Sequence, residues 1–117
     1  MIKRTFILFV LVFFVSVSAS EERIFTHNGL DRFYHLYIPQ DLEDKAPLVV
    51  VIHGYTSAAE NIMSYSKMNE VADREGFAVI YPQGTIDSQG NTFFNVGYEF
   101  SKDSKIDDVS FIRELVI

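Results

Sequence analysis

The sequence predicts an α/β fold in which an antiparallel hairpin leads into a parallel sheet with a βαβ crossover. Three observations support this prediction. An unbroken apolar run from Leu48 to Ile52 stops at His53-Gly54, as is typical of a short strand buried on both faces. A helical pattern and a second apolar run follow it, which is the order of a βαβ unit. Before them, two β-prone segments flank the dipeptide Asn28-Gly29.

Composition limits the classes of function. The chain has 117 residues, which is enough for one small domain, and 48% of them are apolar, as in a protein with a packed core. The formal net charge is -6 and no cluster of Lys or Arg is present, so we expect no nucleic-acid partner. The chain has no cysteine, which excludes disulfides, thiolate metal sites and a cysteine nucleophile.

Residues 1–20 have the pattern of a secretory signal peptide. Lys3 and Arg4 precede an apolar run from Phe6 to Val17, and the small residues Ser18-Ala19-Ser20 follow. A membrane anchor is the alternative, but a spanning helix needs about 20 apolar residues and this run is shorter. We therefore expect cleavage after Ala19 or Ser20, a secreted (extracellular or periplasmic) product, and no stable membrane span afterwards.

The first structural element after this segment is predicted to be a hairpin. Its arms are Arg23 to His27 and Leu30 to Ile38, and Asn28-Gly29 suits the positive φ angles of a type I′ turn. The arms carry His27 and His35, which are candidate metal ligands or bases. For His35, on an aromatic strand, we favour a packed imidazole with one satisfied nitrogen, and so predict no metal site.

A helical region and a second buried strand are predicted next. Ser57-Ala58-Ala59-Glu60 has the form of a capping box, which predicts a helix start at this point. The helix continues over Tyr65 to Glu75, and Gly76 is well placed as its C′ residue. Phe77 to Tyr81 is the second buried strand, and the short joints predict that it pairs parallel to the Leu48–Ile52 strand.

The region from Gln83 to Lys105 is predicted to be an irregular loop. It carries Phe93, Phe94, Tyr98 and Phe100, which either line a substrate cleft or hold the loop on the sheet. Both interpretations stay open from the sequence. From Asp107 to Ile117 a helix is predicted, with acidic residues at its amino end and Phe111 facing inward.

Four segments in this order resemble one family of enzymes. The segments are Arg32–Pro39, Pro47–Ser57 with His53-Gly54, Asp73–Pro82 and Asp107–Ile112. They are similar to the opening of the secreted esterases of the polyhydroxybutyrate depolymerase, feruloyl esterase and acetylxylan esterase group, within the α/β-hydrolase superfamily. The resemblance spans nearly all of residues 21–117, but only about the first third to two fifths of such a catalytic domain. It therefore implies an incomplete sheet.

The resemblance implies acyl transfer to a serine and hydrolysis of the acyl-enzyme. In this fold the nucleophile lies in G-x-S-x-G, followed along the chain by an acid and then a histidine. None of the seven serines after Ser20 has the flanking glycines, and His53 precedes any such motif. We therefore expect residues 21–117 to be an N-terminal portion of the catalytic domain, inactive alone, with nucleophile, acid and base outside this chain.

One catalytic group is implied within the chain. The oxyanion hole of this superfamily takes a backbone N–H from the loop after the His-Gly strand, which corresponds here to Tyr55, with Gly54 allowing the turn. The alternative is that Tyr55 only packs at the sheet edge. The implied substrates are carboxylic esters, polymeric ones included, with no cofactor, and the oligomeric state stays open. Two other functions remain: a small secreted binding protein or inactive relic, and a secreted peptidase or dienelactone-type hydrolase.

Overall fold

The computed structural model describes residue 11 and residues 18–117. The predicted signal peptide, residues 1–20, therefore lies outside the described residues except at positions 11 and 18–20. Within the part that is described, no helix combines the length and apolar character needed to cross a membrane.

The predicted hairpin is confirmed. Strand β1 (Glu21–His27) pairs antiparallel with β2 (Leu30–Tyr37). Asn28 and Gly29 have φ angles of 50° and 76°, the left-handed values that a type I′ turn needs at both central positions. The Asn-Gly dipeptide accepts these values at low steric cost, and this explains why the sequence located the turn correctly.

The main sheet has four strands in the order β1-β2-β4-β3, where β3 is Leu48–Val50 and β4 is Ala78–Pro82. The parallel pairing of β3 with β4 confirms the predicted βαβ unit. The hairpin joins this unit through an antiparallel pairing of β2 with β4, which the sequence did not predict. The result is a mixed sheet, with β4 as the strand that connects its two halves.

Strand β3 differs from its prediction in length and burial. It ends at Val50, although the Val51 N–H still donates to the Ile80 carbonyl at 2.9 Å. Leu48 is 41% exposed and Ile52 is 49% exposed, so the prediction of burial on both faces is wrong. The reason is that among the described residues only β4 pairs with β3, which leaves β3 at the edge of the sheet.

The predicted continuous helix consists of two helices, α1 (Ala59–Ser66) and α2 (Met68–Glu75), separated by Lys67 at φ 55°. The predicted capping box does not form: Ala58 is the N-cap, and no side chain of α1 caps it. The Gln83 side-chain oxygen accepts the Ala59 N–H at 2.8 Å instead. Gly76 ends α2 at φ 75°, as predicted.

The predicted irregular region contains a small hairpin, β5 (Thr85–Ile86) and β6 (Thr92–Phe93), and a 3-10 helix, Glu99–Ser101. The last helix, α3, spans Asp108–Leu115, and the Asp107 carboxylate caps it by accepting the Ser110 N–H at 2.9 Å. Because successive strand residues point to opposite faces, the sheet is covered on both sides. Tyr37, Val79 and Tyr81 pack under α1 and α2, and Arg32 lies against Phe111 of α3.

Candidate active site

The candidate site is built on a tight turn just past β3, which we call the Gly54–Ser57 turn. The Ser57 N–H donates to the Gly54 carbonyl at 3.1 Å, and Thr56 has φ 67°. A positive φ at the third residue is the pattern of a type II turn, in which Gly or Asn is usual. A β-branched residue in this conformation is strained, and such strain concentrates at functional sites. The positive φ thus falls on Thr56 and not on Gly54.

His53 fixes the orientation of the peptide that joins Gly54 to Tyr55. Its Nε2 accepts the Gly84 N–H at 2.9 Å, so the ring proton lies on Nδ1, which donates to the Gly54 carbonyl at 2.8 Å. In a trans peptide the C=O and the following N–H point in opposite directions. The Tyr55 N–H is therefore directed away from His53. His53 is buried and packs on Phe94, with ring centroids 4.8 Å apart.

The Tyr55 N–H differs from its neighbours in having no acceptor in the described part of the chain. The Ser57 amide donates within the turn, and the Thr56 amide donates to the Thr92 carbonyl at 2.9 Å. A Cβ added at Gly54 would meet no atom within 4 Å, so there is open space beside this peptide. The arrangement leaves one oriented backbone N–H beside open space, whereas an oxyanion hole of this fold uses two such donors.

Gln83 and Gly84 hold the turn in place, and the sequence did not identify either. The Gln83 side chain contacts His53 Nε2 at 3.2 Å and accepts the first amide of α1. A Cβ at Gly84 would collide with the Phe93 carbonyl and lie 3.2 Å from His53 Cε1, so only glycine fits here. Both residues directly follow β4, at the carboxyl end of a parallel strand, where α/β sheets place ligands. Their position just after a predicted strand is the feature of the sequence that could have identified them.

The Tyr55 side chain joins an exposed aromatic cluster formed by Tyr55, Tyr98 and Phe100. Tyr55 and Phe100 have ring centroids 5.5 Å apart, and Phe100 stacks on Tyr98 at 5.0 Å with 13° between planes. The Tyr55 hydroxyl donates to Asp87 at 2.8 Å, and this bond raises the pKa of the phenol. Hydrogen bonds, the first from the Asn91 backbone N–H, hold the pKa of Asp87 below its usual value.

The four aromatics of the loop differ in exposure and in what they contact. Phe93 is buried and Phe94 packs on His53. Tyr98 and Phe100 are each about half exposed; Phe100 packs on Tyr55, and Tyr98 stacks on Phe100. A cavity of about 300 Å³ has both Phe93 and Phe100 in its wall, together with Asp87 and Ser101.

A buried ion pair, on the face of the sheet opposite to α1 and α2, stabilises the loop that follows β4. Arg32 donates to Asp108 at 2.6 Å and to the Gln83 carbonyl at 3.2 Å, and its guanidinium lies 3.8 Å from the centre of the Phe111 ring. Asp108 also accepts the Asn95 N–H. This network ties β2, the loop and α3 together, and the sequence did not single out either charged residue for this role.

The two histidines of the hairpin have different surroundings. His27 is buried, and its Nε2 lies 2.6 Å from the Ser110 hydroxyl, which satisfies one ring nitrogen. His35 makes no hydrogen bond in the described part of the chain, although its Nε2 lies 3.3 Å from Glu60 and 3.8 Å from Glu22. His27 thus fits a packed imidazole with one satisfied nitrogen, and His35 is packed as predicted, with its Nε2 facing two carboxylates.

Comparison with known proteins identifies the family of this chain. A model of the family described as Esterase PHB depolymerase matches residues 32–101. The bifunctional acetylxylan esterase/xylanase XynS20E of Neocallimastix patriciarum is 36% identical over 56 residues, covering 48% of this chain and 8% of that protein. Feruloyl esterase B of Thermothelomyces thermophilus is 27% identical over 84 residues, covering 70% of this chain and 29% of that protein. The matched segments thus span less than a third of either relative.

Solved structures agree with the fold. The S-formylglutathione hydrolase FrmB of Staphylococcus aureus superposes with a TM-score of 0.51 at 20% identity, covering 87% of this chain and 42% of that one. The serine hydrolase FphF of the same organism has the same TM-score at 19% identity. These neighbours confirm the α/β-hydrolase fold. Since the family model spans more than half of the chain and includes the Gly54–Ser57 turn, this polypeptide belongs to the Esterase PHB depolymerase family.

Proposed function

We propose that this chain contributes one donor of the oxyanion hole to a secreted, serine-dependent carboxylic ester hydrolase. Family membership supports ester hydrolysis as the reaction class. The proposed substrates are polyhydroxyalkanoates or plant cell-wall esters such as feruloyl and acetyl esters, because relatives are described as acetylxylan and feruloyl esterases. Secretion by way of residues 1–20 is part of the same proposal, as is activity without a cofactor.

The observation that carries the proposal is the orientation of the Tyr55 N–H, which has no acceptor among residues 18–117. In ester hydrolysis a serine oxygen attacks the carbonyl carbon, and the carbonyl oxygen becomes an anion in the tetrahedral intermediate. A backbone N–H already aimed at this oxygen stabilises it without reorganisation during the reaction. His53, held by Gly84, keeps this N–H in position. In this proposal the nucleophile, acid and base come from residues outside 1–117.

A pair of substitutions at Tyr55 separates the backbone donor from the side chain. Tyr55→Pro removes the N–H, and proline is common at the second residue of type II turns, so the fold should tolerate it. Tyr55→Ala keeps the N–H and removes the ring. In the complete hydrolase, assayed on p-nitrophenyl acetate, we expect Tyr55→Pro to lower kcat by about 10²–10³. Tyr55→Ala should retain kcat to within about tenfold.

Equal losses in both variants, or no loss in Tyr55→Pro with its Tm preserved, would refute the backbone role. A panel of acetyl-xylan, methyl ferulate and polyhydroxybutyrate then distinguishes the substrate classes. Labelling with a fluorophosphonate probe reports the reactive serine independently of substrate choice. Absence of both labelling and turnover in the folded complete protein would favour the non-catalytic binding function instead.

A further inference from the structure

We propose that Glu22, His35 and Glu60 form a zinc-binding site that joins the hairpin to helix α1. This site is separate from the Gly54–Ser57 turn, and the inference does not depend on ester hydrolysis. It departs from the expectation that no metal binds this chain. The three side chains come from three elements, β1, β2 and α1, which the fold brings to one point.

The geometry is the first argument for the site. Glu22 and His35 are directly paired across the two strands, so their side chains lie on the same face of the sheet. Glu60 lies in the first turn of α1, which packs over that face. The three potential ligand atoms all lie within 4.8 Å of one another. Tetrahedral zinc with bonds of about 2.1 Å separates its ligands by about 3.4 Å, close to the distances of 3.3 and 3.8 Å from His35 Nε2.

The state of the imidazole is the second argument. The side chain of His35 is 13% exposed, yet neither of its nitrogens makes a hydrogen bond within the described residues. Two carboxylates face the same ring nitrogen, and one N–H cannot serve both. A cation between the three groups would satisfy the nitrogen and reduce the repulsion between the carboxylates. The other hairpin histidine lacks this arrangement: His27 Nε2 contacts the Ser110 hydroxyl, and among the described residues Glu114 is the one carboxylate near it.

The ligand set favours zinc over the other common divalent cations. Calcium and magnesium prefer oxygen ligands and higher coordination numbers, whereas one imidazole with two carboxylates suits zinc. Both glutamate side chains are more than half exposed, so an ion reaches the site from solvent and water can complete its coordination. The bound ion would clamp α1, which directly follows the Gly54–Ser57 turn, to the β1–β2 hairpin.

The test is calorimetric titration of tag-free protein with zinc chloride, because a histidine tag would itself bind the metal. We expect one zinc per chain, and a Tm increase of at least about 5 °C when free zinc is about a hundredfold above the measured Kd. Glu60→Gln and Glu22→Gln change exposed side chains and should each weaken binding at least about tenfold. His35→Gln should abolish it.

The matched control is Glu114→Gln, which removes a carboxylate beside the other hairpin histidine and should leave zinc affinity unchanged. The two exposed glutamate variants decide the question even if His35→Gln does not fold. The proposal is overturned if wild-type protein binds zinc no more tightly than Glu60→Gln, or if no heat and no Tm shift accompany zinc addition. Equal stabilisation by calcium or magnesium would overturn the assignment to zinc.

Discussion

At the scale of single residues, the two glycines nearest the turn have opposite requirements. A Cβ at Gly84 would overlap the Phe93 carbonyl, which belongs to the backbone and cannot rotate away, whereas a Cβ at Gly54 would enter open space. Overpacking of this kind costs about 1–3 kcal/mol. We therefore expect Gly84→Ala to lower the free energy of unfolding by about that amount, measured by urea denaturation followed by tyrosine fluorescence.

The matched variant is Gly54→Ala, which should change the free energy of unfolding by less than about 1 kcal/mol because its φ is not in the left-handed region. Similar losses in both variants would mean that His53 does not depend on the close approach of Gly84.

Residue-level prediction from sequence succeeded where a residue's own backbone preference decides the structure. Asn28-Gly29 and Gly76 adopt the left-handed conformations that their side chains favour. It failed where a distant partner decides. Nothing in Ser57-Ala58-Ala59-Glu60 shows that Gln83, more than twenty residues away, caps α1. The position of Tyr55 followed from a family resemblance, whereas its orientation through His53 required three-dimensional contacts.

At the scale of elements, helix α2 is joined to the sheet by two tyrosine hydroxyls. Tyr81 of β4 donates to Asn69 at 2.7 Å, and Tyr37 of β2 donates to Asp73 at 2.6 Å. Burial is the main cause that raises the pKa of each phenol to about 12. In the unfolded chain these groups ionise near their ordinary value of 10.0. Stability from the raised pKa is therefore present below pH 10 and is lost as pH rises from 10 to 12.

We expect the free energy of unfolding to fall through this alkaline range, and Tyr81→Phe to remove about 2 kcal/mol of that fall. Urea denaturation at closely spaced pH values from 8 to 12 measures the profile. Tyr65→Phe is the control, since Tyr65 is 86% exposed and should leave the profile unchanged. A Tyr81→Phe profile that superposes on wild type above pH 10 would contradict this account.

Pairing between elements was only partly predictable. The βαβ unit follows from chain order and short joints, which constrain the connection strongly. The sequence analysis did not predict the antiparallel pairing of β2 with β4 or the small β5–β6 hairpin. Two-residue strands carry too little periodicity to be read, and Asp87, which accepts the Gln89 and Asn91 amides, looks like any loop aspartate.

At the scale of the whole molecule, the two edges of the main sheet are chemically different. The β1 edge begins with Glu21, Glu22 and Arg23, and such charges discourage pairing with another chain. The β3 edge is apolar: Leu48 at its start is 41% exposed, and Ile52, two residues past its end, is 49% exposed. It adjoins an apolar cavity of about 280 Å³ whose lining residues include Ile52, Phe94 and Ile112. Of the two edges, β3 is therefore the one at which a strand of another chain can add.

We therefore expect the polypeptide of residues 21–117, without the predicted signal peptide, to self-associate through β3. Leu48→Lys and Ile52→Lys, alone or together, should shift it toward monomer in light scattering coupled to size-exclusion chromatography, because a charge at an edge opposes strand addition. The control is Ile24→Lys, which places the same charge on an apolar residue of β1 that is 60% exposed. If Ile24→Lys disperses the protein as well as Leu48→Lys does, the association reflects general hydrophobic surface and not the β3 edge. A wild-type polypeptide that is monomeric with a sharp, cooperative thermal transition would show that this edge is protected without a partner strand.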